Sequence, residues 1–365
     1  MKQKPTYYPC SGCGAIMVFS PAKGHLLCPY CSSEEKIQTS TSINSYETPD
    51  ILRQEALPKS TKREIQCPKC GVNYSFKDFQ VSTSCQYCST PAILDFENPI
   101  KPESIAPFKV EQKEAHKIFG KWIGSLWFAP NELKHLVDTQ KRLTGFYLPY
   151  WLFDASSQSY YTGERGEAYY VTVERRVIVD GRERIVQEQE RRIRWYPVSG
   201  EVYRDFRDIS ISASEVIPYE LLQSLRSRAS NYLVALDKRF LSGFDTREYT
   251  IPPRESYEKA KIIMRRIIRG DVLRDIGGDE QRIHSINTKF SQEYYRHSLF
   301  PVWSTHFKYK GKNYYYAIDG FTGEIVGERP YSYWKIFFLT LFIMGILLII
   351  FSWDKIEIYL KAHFG

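Results

Sequence analysis

No cysteine follows Cys88 in this chain of 365 residues, and all eight lie between Cys10 and Cys88. Other absences remove whole classes of activity. No GxxxxGK[ST] phosphate loop occurs, so motor and helicase chemistry has no engine. HExxH, GxSxG and GxGxxG are missing too, which excludes the common zinc-protease, nucleophile-elbow and dinucleotide-binding signatures. Residues 1–9 contain no apolar core, and the reading is that no secretory signal opens the sequence. CxxC spacing without a signal points to thiolates in a reducing compartment rather than to disulfides. No charge sign dominates: 50 Lys+Arg face 42 Asp+Glu, a net +8 that favours anionic partners only as a tendency.

Aromatic residues, by contrast, are abundant, with 27 Tyr, 21 Phe and 7 Trp. They suit a half-buried pleated surface and predict a β-rich fold. Hydrophobic content of 43% and charged content of 25% are those of a chain that folds.

The cysteines form an internal repeat. Cys10, Cys13 and Gly14 precede Cys28, Tyr30 and Cys31; Cys67, Cys70 and Gly71 precede Cys85, Tyr87 and Cys88. The second copy lies 57 positions after the first, since 67 − 10 = 57. Two residues between cysteines let a turn aim both sulfurs at one ion, and the following glycine accepts the positive φ of such a knuckle. Cys10, Cys13, Cys28 and Cys31 are therefore assigned to one structural Zn2+, and Cys67, Cys70, Cys85 and Cys88 to a second. Ile16, Val18 and Phe19, or Val72, Tyr74 and Phe76, suit the hairpin joining the two knuckles of a zinc ribbon. So small a unit cannot bury a sufficient core, and the metal supplies folding energy of about 10 kcal/mol or more. Iron in a rubredoxin-like site is the rival metal. His25 is read as a surface residue, since four cysteines already complete the shell.

At the other end, residues 336–352 read IFFLTLFIMGILLIIFS without a charge. As a helix this run spans roughly 26 Å, and Trp334 and Trp353 extend it to bilayer thickness. Tyr331, Tyr333, Trp334 and Trp353 flank it as an interfacial belt. Flanking charges are balanced, so orientation is argued from the thiolate sites: the N-terminal domains lie in the cytoplasm and the tail is translocated.

Residues 36–62 are rich in Ser, Thr and charge and read as a linker. A short helix is expected over 111–125, with Ile118, Phe119, Trp122 and Ile123 near one face. Residues 146–153 form an apolar strand with which 159–162 pair. Residues 169–179 and 184–196 flank Asp180-Gly181 as a hairpin. This hairpin carries seven arginines and five acids of alternating sign between Val171 and Trp195, as a solvated ribbon with cross-strand ion pairs would. Helices are expected near 219–233 and 255–269, and strands at 301–309 and 313–318 around Lys310-Gly311-Lys312. Asp271, Asp275, Asp279 and Glu280 around Gly277-Gly278 read as a helix-terminating turn rather than a cation site.

Together the knuckles, LPYWLFDA (148–155), YTGERG (161–166), WYPVSGEV (195–202), DIGGDEQRI (275–283) and DGFTGEIVGERPYSYWK (319–335) resemble a bacterial family of tandem zinc-ribbon, single-pass membrane proteins. Such proteins are often labelled as relatives of primosomal protein N′ or as TFIIB-type zinc ribbons. Some are encoded beside phage-shock protein A and a flotillin-like protein, and the segment before the span is similar to PepSY-type modules. The resemblance implies an adaptor that brings such protein partners to a stressed membrane. The expected architecture is α+β: ribbon 1 over 1–35, a linker over 36–62, ribbon 2 over 63–96 and a β-rich α+β domain over 97–332. A transmembrane helix over 333–353 and a short tail over 354–365 complete it. The expected function is that of a non-enzymatic adaptor in the bacterial cytoplasmic membrane, with no small-molecule substrate. The alternative is a membrane-tethered nucleic-acid-binding protein using Lys62, Arg63, Lys69, Tyr74, Phe76 and Lys77.

Overall fold

Aromatic and β-branched residues concentrate in three strands of unusual length, and these organise the molecule. The computed structural model describes residues 5–48, 63–130, 143–179, 182–225 and 228–364. The fold is mixed α+β and strand-rich. Strand Thr144–Val179 runs at the centre, antiparallel to Arg182–Ser212 on one side and to Glu280–Tyr309 on the other. The 159–162 segment therefore does not fold back on 146–153. Both belong to one strand, and Ser159 pairs with Val202 and Thr288 instead. Asp180 and Gly181, the expected turn, lie outside the described residues.

Around this ribbon an eleven-stranded sheet assembles. Lys312–Asp319 and Ile325–Gly327 extend it beyond the Glu280–Tyr309 strand. On the other side, Asp245–Arg247 runs parallel to Phe146 and Tyr147 and carries Gln80–Ser84, which in turn pairs with Pro91–Ile93. The turn at Lys310 and Gly311 has φ of +47 and +81, as a tight two-residue hairpin requires.

Helix Pro253–Ile276 covers one face of the ribbon. Pro253 opens it with a fixed φ, and Gly277 closes it at φ +66. Its buried side chains Tyr257, Ala260, Met264, Ile268, Val272 and Ile276 recur at helical spacing and pack on Phe153, Ala155, Tyr161 and Phe206. It runs seven residues beyond the expected Arg269 because Val272 and Ile276 continue its buried face past Gly270. On the opposite face Leu148, Tyr150 and Leu152 pack against Leu221, Leu222, Leu225 and Phe300. Here the expected helix over 219–233 is divided into Tyr219–Ser224 and a 3₁₀ turn at Arg228–Tyr232.

Support for the central pair ends at Gly166, which pairs with Glu280. Residues 167–179 and 182–194 continue as a two-stranded arm with every described side chain at least partly exposed. At ~3.3 Å per residue the arm extends about 40 Å past the third strand.

Residues 36–48, read as linker, are built into the body. Ile37 is buried, the Ser40 carbonyl accepts from the Ala235 N–H, and Tyr46–Glu47 pairs with Tyr294 and Tyr295. The rest of that segment, 49–62, lies outside the described residues.

At the C-terminus, helix Tyr333–Phe364 contains an 18-residue window, Tyr333–Ile350, of mean hydropathy 2.3 with none of it buried. That is long and apolar enough to cross a membrane. The helix continues through the residues expected as a tail.

Candidate metal centres

All four CxxC segments fold into the same turn. In each, the first cysteine's N–H donates to the carbonyl five residues on, and its own carbonyl accepts from the N–H four residues on. The first bond is Cys10 to Ala15 at 2.7 Å, Cys28 to Ser33 at 2.9 Å, Cys67 to Val72 at 2.8 Å and Cys85 to Thr90 at 2.8 Å. The second comes from Gly14, Ser32, Gly71 and Ser89 at 2.8–3.1 Å. These four residues have positive φ: +74 for both glycines, +59 for Ser32 and +58 for Ser89. Glycine meets that demand without a Cβ clash, and the serines accept the left-handed region at modest cost.

The turns bring the eight sequence-assigned cysteines into two groups of four, with the sulfurs of each group within 4.8 Å of one another. Cys10 and Cys31 are 3.5 Å apart, as are Cys13 and Cys28. In the second group Cys67 and Cys88 lie at 3.5 Å, and Cys70 and Cys85 at 3.8 Å. A disulfide needs about 2.05 Å, whereas four sulfurs about 2.3 Å from a tetrahedral ion sit about 3.8 Å apart. The geometry therefore fits two structural metal ions. Four thiolates leave no coordination position for water or substrate.

The two groups are supported differently. The first has the expected hairpin, Val18–Ser20 with His25–Leu27, and Glu34–Glu35 adds a third strand. Phe19 then docks edge-on against Phe240, with ring centroids 5.1 Å apart, and its N–H donates to the Ser242 carbonyl at 2.9 Å. In the second group the hairpin between knuckles is absent. Asn73–Phe76 pairs back with Arg63–Gln66, while Gln80–Ser84 joins the large sheet. Its core is the small cluster of Ile65, Phe76, Ala92 and Leu94. Residues just before Cys10 lace the two together: Thr6 bridges to Ile93, Tyr7 packs on the second cluster, and Tyr8 on the main core.

Hydrogen bonds tune the sulfurs. The Ser33 hydroxyl, 3.1 Å from Cys31 Sγ, lowers that thiol to about 6, helped by the Ser33 N–H. Thr90, 3.2 Å from Cys88 Sγ, does the same at the equivalent place, again to about 6. N–H groups of Cys13 and Gly12 lower Cys10. Cys13 receives the Ala15 N–H, which favours the thiolate, but the Cys28 and Cys31 sulfurs outweigh it and push Cys13 to about 12. Cys70, with the Val72 N–H in its favour, is pushed to about 12 by burial and by the Cys67, Cys88 and Cys85 sulfurs. A divalent cation at each centre removes this mutual repulsion. Ser33 and Thr90 were not singled out from the sequence, although both stand two residues after the fourth cysteine.

The remaining candidates separate. His25 is not among the converging ligands. Each acid of the Gly277-Gly278 segment has a protein partner: Asp271 takes the Arg204 guanidinium at 2.6 and 2.8 Å, and Asp275 accepts from the Tyr161 hydroxyl at 2.7 Å. Asp279 accepts from the Ala168 N–H at 2.7 Å, and Glu280 pairs with Arg191 at 3.0 Å. Of the residues assigned to nucleic acid, Phe76 is buried and Arg63 is held by the Asp95 and Gln80 carbonyls and by Glu97. Lys62 lies outside the described residues.

No protein-family model matches the chain, and no solved structure matches it. Among curated proteins it is similar to the uncharacterized protein YdjG of Bacillus subtilis (strain 168). The two are 24% identical over 333 residues, spanning 90% of this chain and 91% of that protein.

Proposed function

We propose that this protein is a non-enzymatic, membrane-anchored adaptor whose two four-cysteine groups hold zinc and whose folded body gathers protein partners at the cytoplasmic face of a bacterial membrane. The observation that carries the reading is the placement of its ends. The exposed apolar helix Tyr333–Ile350 leaves the body where Ile325–Gly327 and Lys312–Asp319 meet the Tyr309 end of the third long strand. The arm leaves from the other end of the same ribbon, at Gly166. One terminus of the β-ribbon is thus tied to lipid while the other reaches outward with unsupported edges, the kind of edge another chain can extend. Thiolates as metal ligands call for a reducing compartment, which supports a cytoplasmic body. Zinc is favoured over iron because tetrahedral shells of four thiolates are its usual structural site. Partners of the phage-shock protein A and flotillin-like classes follow from the family resemblance and belong to the same proposal.

The test excises residues 169–192 and joins Ala168 to Ile193, a facing pair, through a short turn. Co-purification of cytosolic partners with membranes falls at least about tenfold if the arm recruits them. Unchanged recruitment sinks the arm's role. A nucleic-acid reading retains Lys69, the half-buried Tyr74 and the exposed Lys77, to which the exposed Tyr30 and Tyr87 are added; Lys69 lies over the Tyr30 ring at 4.7 Å. Salt-dependent retention of single-stranded DNA or RNA at low ionic strength would favour it.

A further inference from the structure

The base of the C-terminal helix is clasped by a turn just over two hundred residues earlier in the chain. Lys335 Nζ donates to the Ala129 carbonyl at 2.8 Å and to the Trp127 carbonyl at 3.1 Å. The Ser332 N–H donates to the Phe128 carbonyl at 2.7 Å. Leu126 and Ala129 are buried in the main core, so the turn is held from beneath. Behind it, helix Gln112–Ser125 packs Trp122 against Gly327, where any added Cβ would lie 2.5 Å from the indole. A cation in the first turn of a helix is electrostatically misplaced, and at a membrane boundary lysine ordinarily extends to headgroups. Here its ammonium is spent on two carbonyls of the turn. The turn leaves one large side chain bare: Trp127 is 79% exposed, comparable to Tyr333 at 85% and Trp334 at 71% at the base of the helix. An indole so bared is unusual on a folded body and usual at the boundary of a bilayer.

We propose that Trp127 is a second interfacial anchor, seated in the phospholipid headgroup and ester layer beside Trp334, and that it fixes the angle at which the body stands on the membrane. The occupant of this surface is lipid, because its carbonyl is bonded to the residue that follows Trp334 in the helix. The inference rests on the reading that Tyr333–Ile350 spans a bilayer. One rotation about the helix axis then satisfies both indoles, and a swivelling body does not.

The test uses the full chain in vesicles of phosphatidylethanolamine and phosphatidylglycerol. A diazirine-bearing amino acid replaces Trp127, Tyr333 or Tyr170 in turn, the last lying on the arm and 64% exposed. Light-dependent lipid adducts are expected at 127 in yield similar to 333 and about tenfold above 170. The substitution Lys335→Met is expected to lower the yield at 127 severalfold while leaving 333 unchanged. Adducts at 333 without adducts at 127 overturn the inference and leave the span intact. A protein adduct at 127 replaces lipid with a partner and also overturns it. Absence of adducts at both positions removes the spanning reading itself.

Discussion

The inner and outer halves of the long hairpin share one hydrogen-bonded ladder and differ in everything else. Inside, Tyr147, Leu148, Trp151, Leu152 and Phe153 are fully buried; helix Pro253–Ile276 covers Trp151 and Phe153, while Leu148 and Leu152 pack on Leu221, Leu222 and Phe300 on the other face. Outside, from Glu167 to Arg194, the same two strands have neither support. Order there comes from the ladder and from cross-strand pairs such as Arg175 with Glu188 at 3.2 Å and Arg194 over the Tyr169 ring at 5.0 Å. Pairs this exposed contribute about 0–1 kcal/mol each. The comparison teaches that backbone pairing sets the shape of the arm, while burial sets the stability of the body.

The largest expected effect comes from the metal. Chelation, or Cys28→Ser, removes a folding contribution on the order of 10 kcal/mol from the first four-cysteine group. Because Phe19 packs on Phe240, the loss should spread into the main core, seen as a lowered melting temperature and exposed Trp303 fluorescence. Next is the inner half itself. Trp151 donates its indole N–H to the Ile251 carbonyl at 3.1 Å and stacks on His297 at 4.5 Å, so Trp151→Ala should cost about 3–5 kcal/mol in denaturant unfolding.

His297 gives the body a pH dependence. Burial holds it neutral and lowers its pKa to about 4, below the ordinary 6.5. Since the unfolded chain takes up the proton first, stability is complete above pH 6.5 and declines by about 1 kcal/mol per unit as pH falls toward 4. In His297→Asn, unfolding free energies at pH 5 and pH 7 should differ far less than in the wild type. A smaller effect is expected where helix Pro253–Ile276 meets the second long strand. The Arg204 hydrogen bond holds Asp271 below the ordinary carboxylate range. That stability is present above the unfolded carboxylate pKa and is lost as pH falls through the lowered one. Asp271→Asn should cost about 1 kcal/mol at pH 7 and converge with wild type only once acid has protonated Asp271 in the folded chain. Smallest of all, Arg175→Ala on the arm should change stability by less than about 0.5 kcal/mol. A comparable loss for Arg175→Ala and Trp151→Ala would erase the distinction between the halves.

What the sequence made legible follows from how each element is encoded. The two cysteine quartets could be read because the ligand spacing is the structure: four identical turns, each set within six residues. The C-terminal helix announced itself by uninterrupted apolar length. The long strands did not, because polar residues occupy the core face where alternation should show. Ser157 and Ser159 are buried, and Ser159 satisfies its hydroxyl on Thr288 at 2.8 Å. Register also shifts near Asp154, where Asp208 and Gln292 adopt positive φ and Asp154 accepts the Asp208 N–H at 2.7 Å. Such bulges change which face each side chain meets, so the period-two pattern breaks in mid-strand. The 36–48 segment was unreadable for another reason: its pairing partners lie about two hundred to two hundred and fifty residues away, at Ala235 and Tyr294.

The most direct measurement is the metal content of the protein extracted by detergent from carbonate-washed membranes. Two zinc atoms per chain are predicted in that fraction. Iron with visible absorbance, fewer than one metal atom per chain, or release of the protein by carbonate alone would contradict the account.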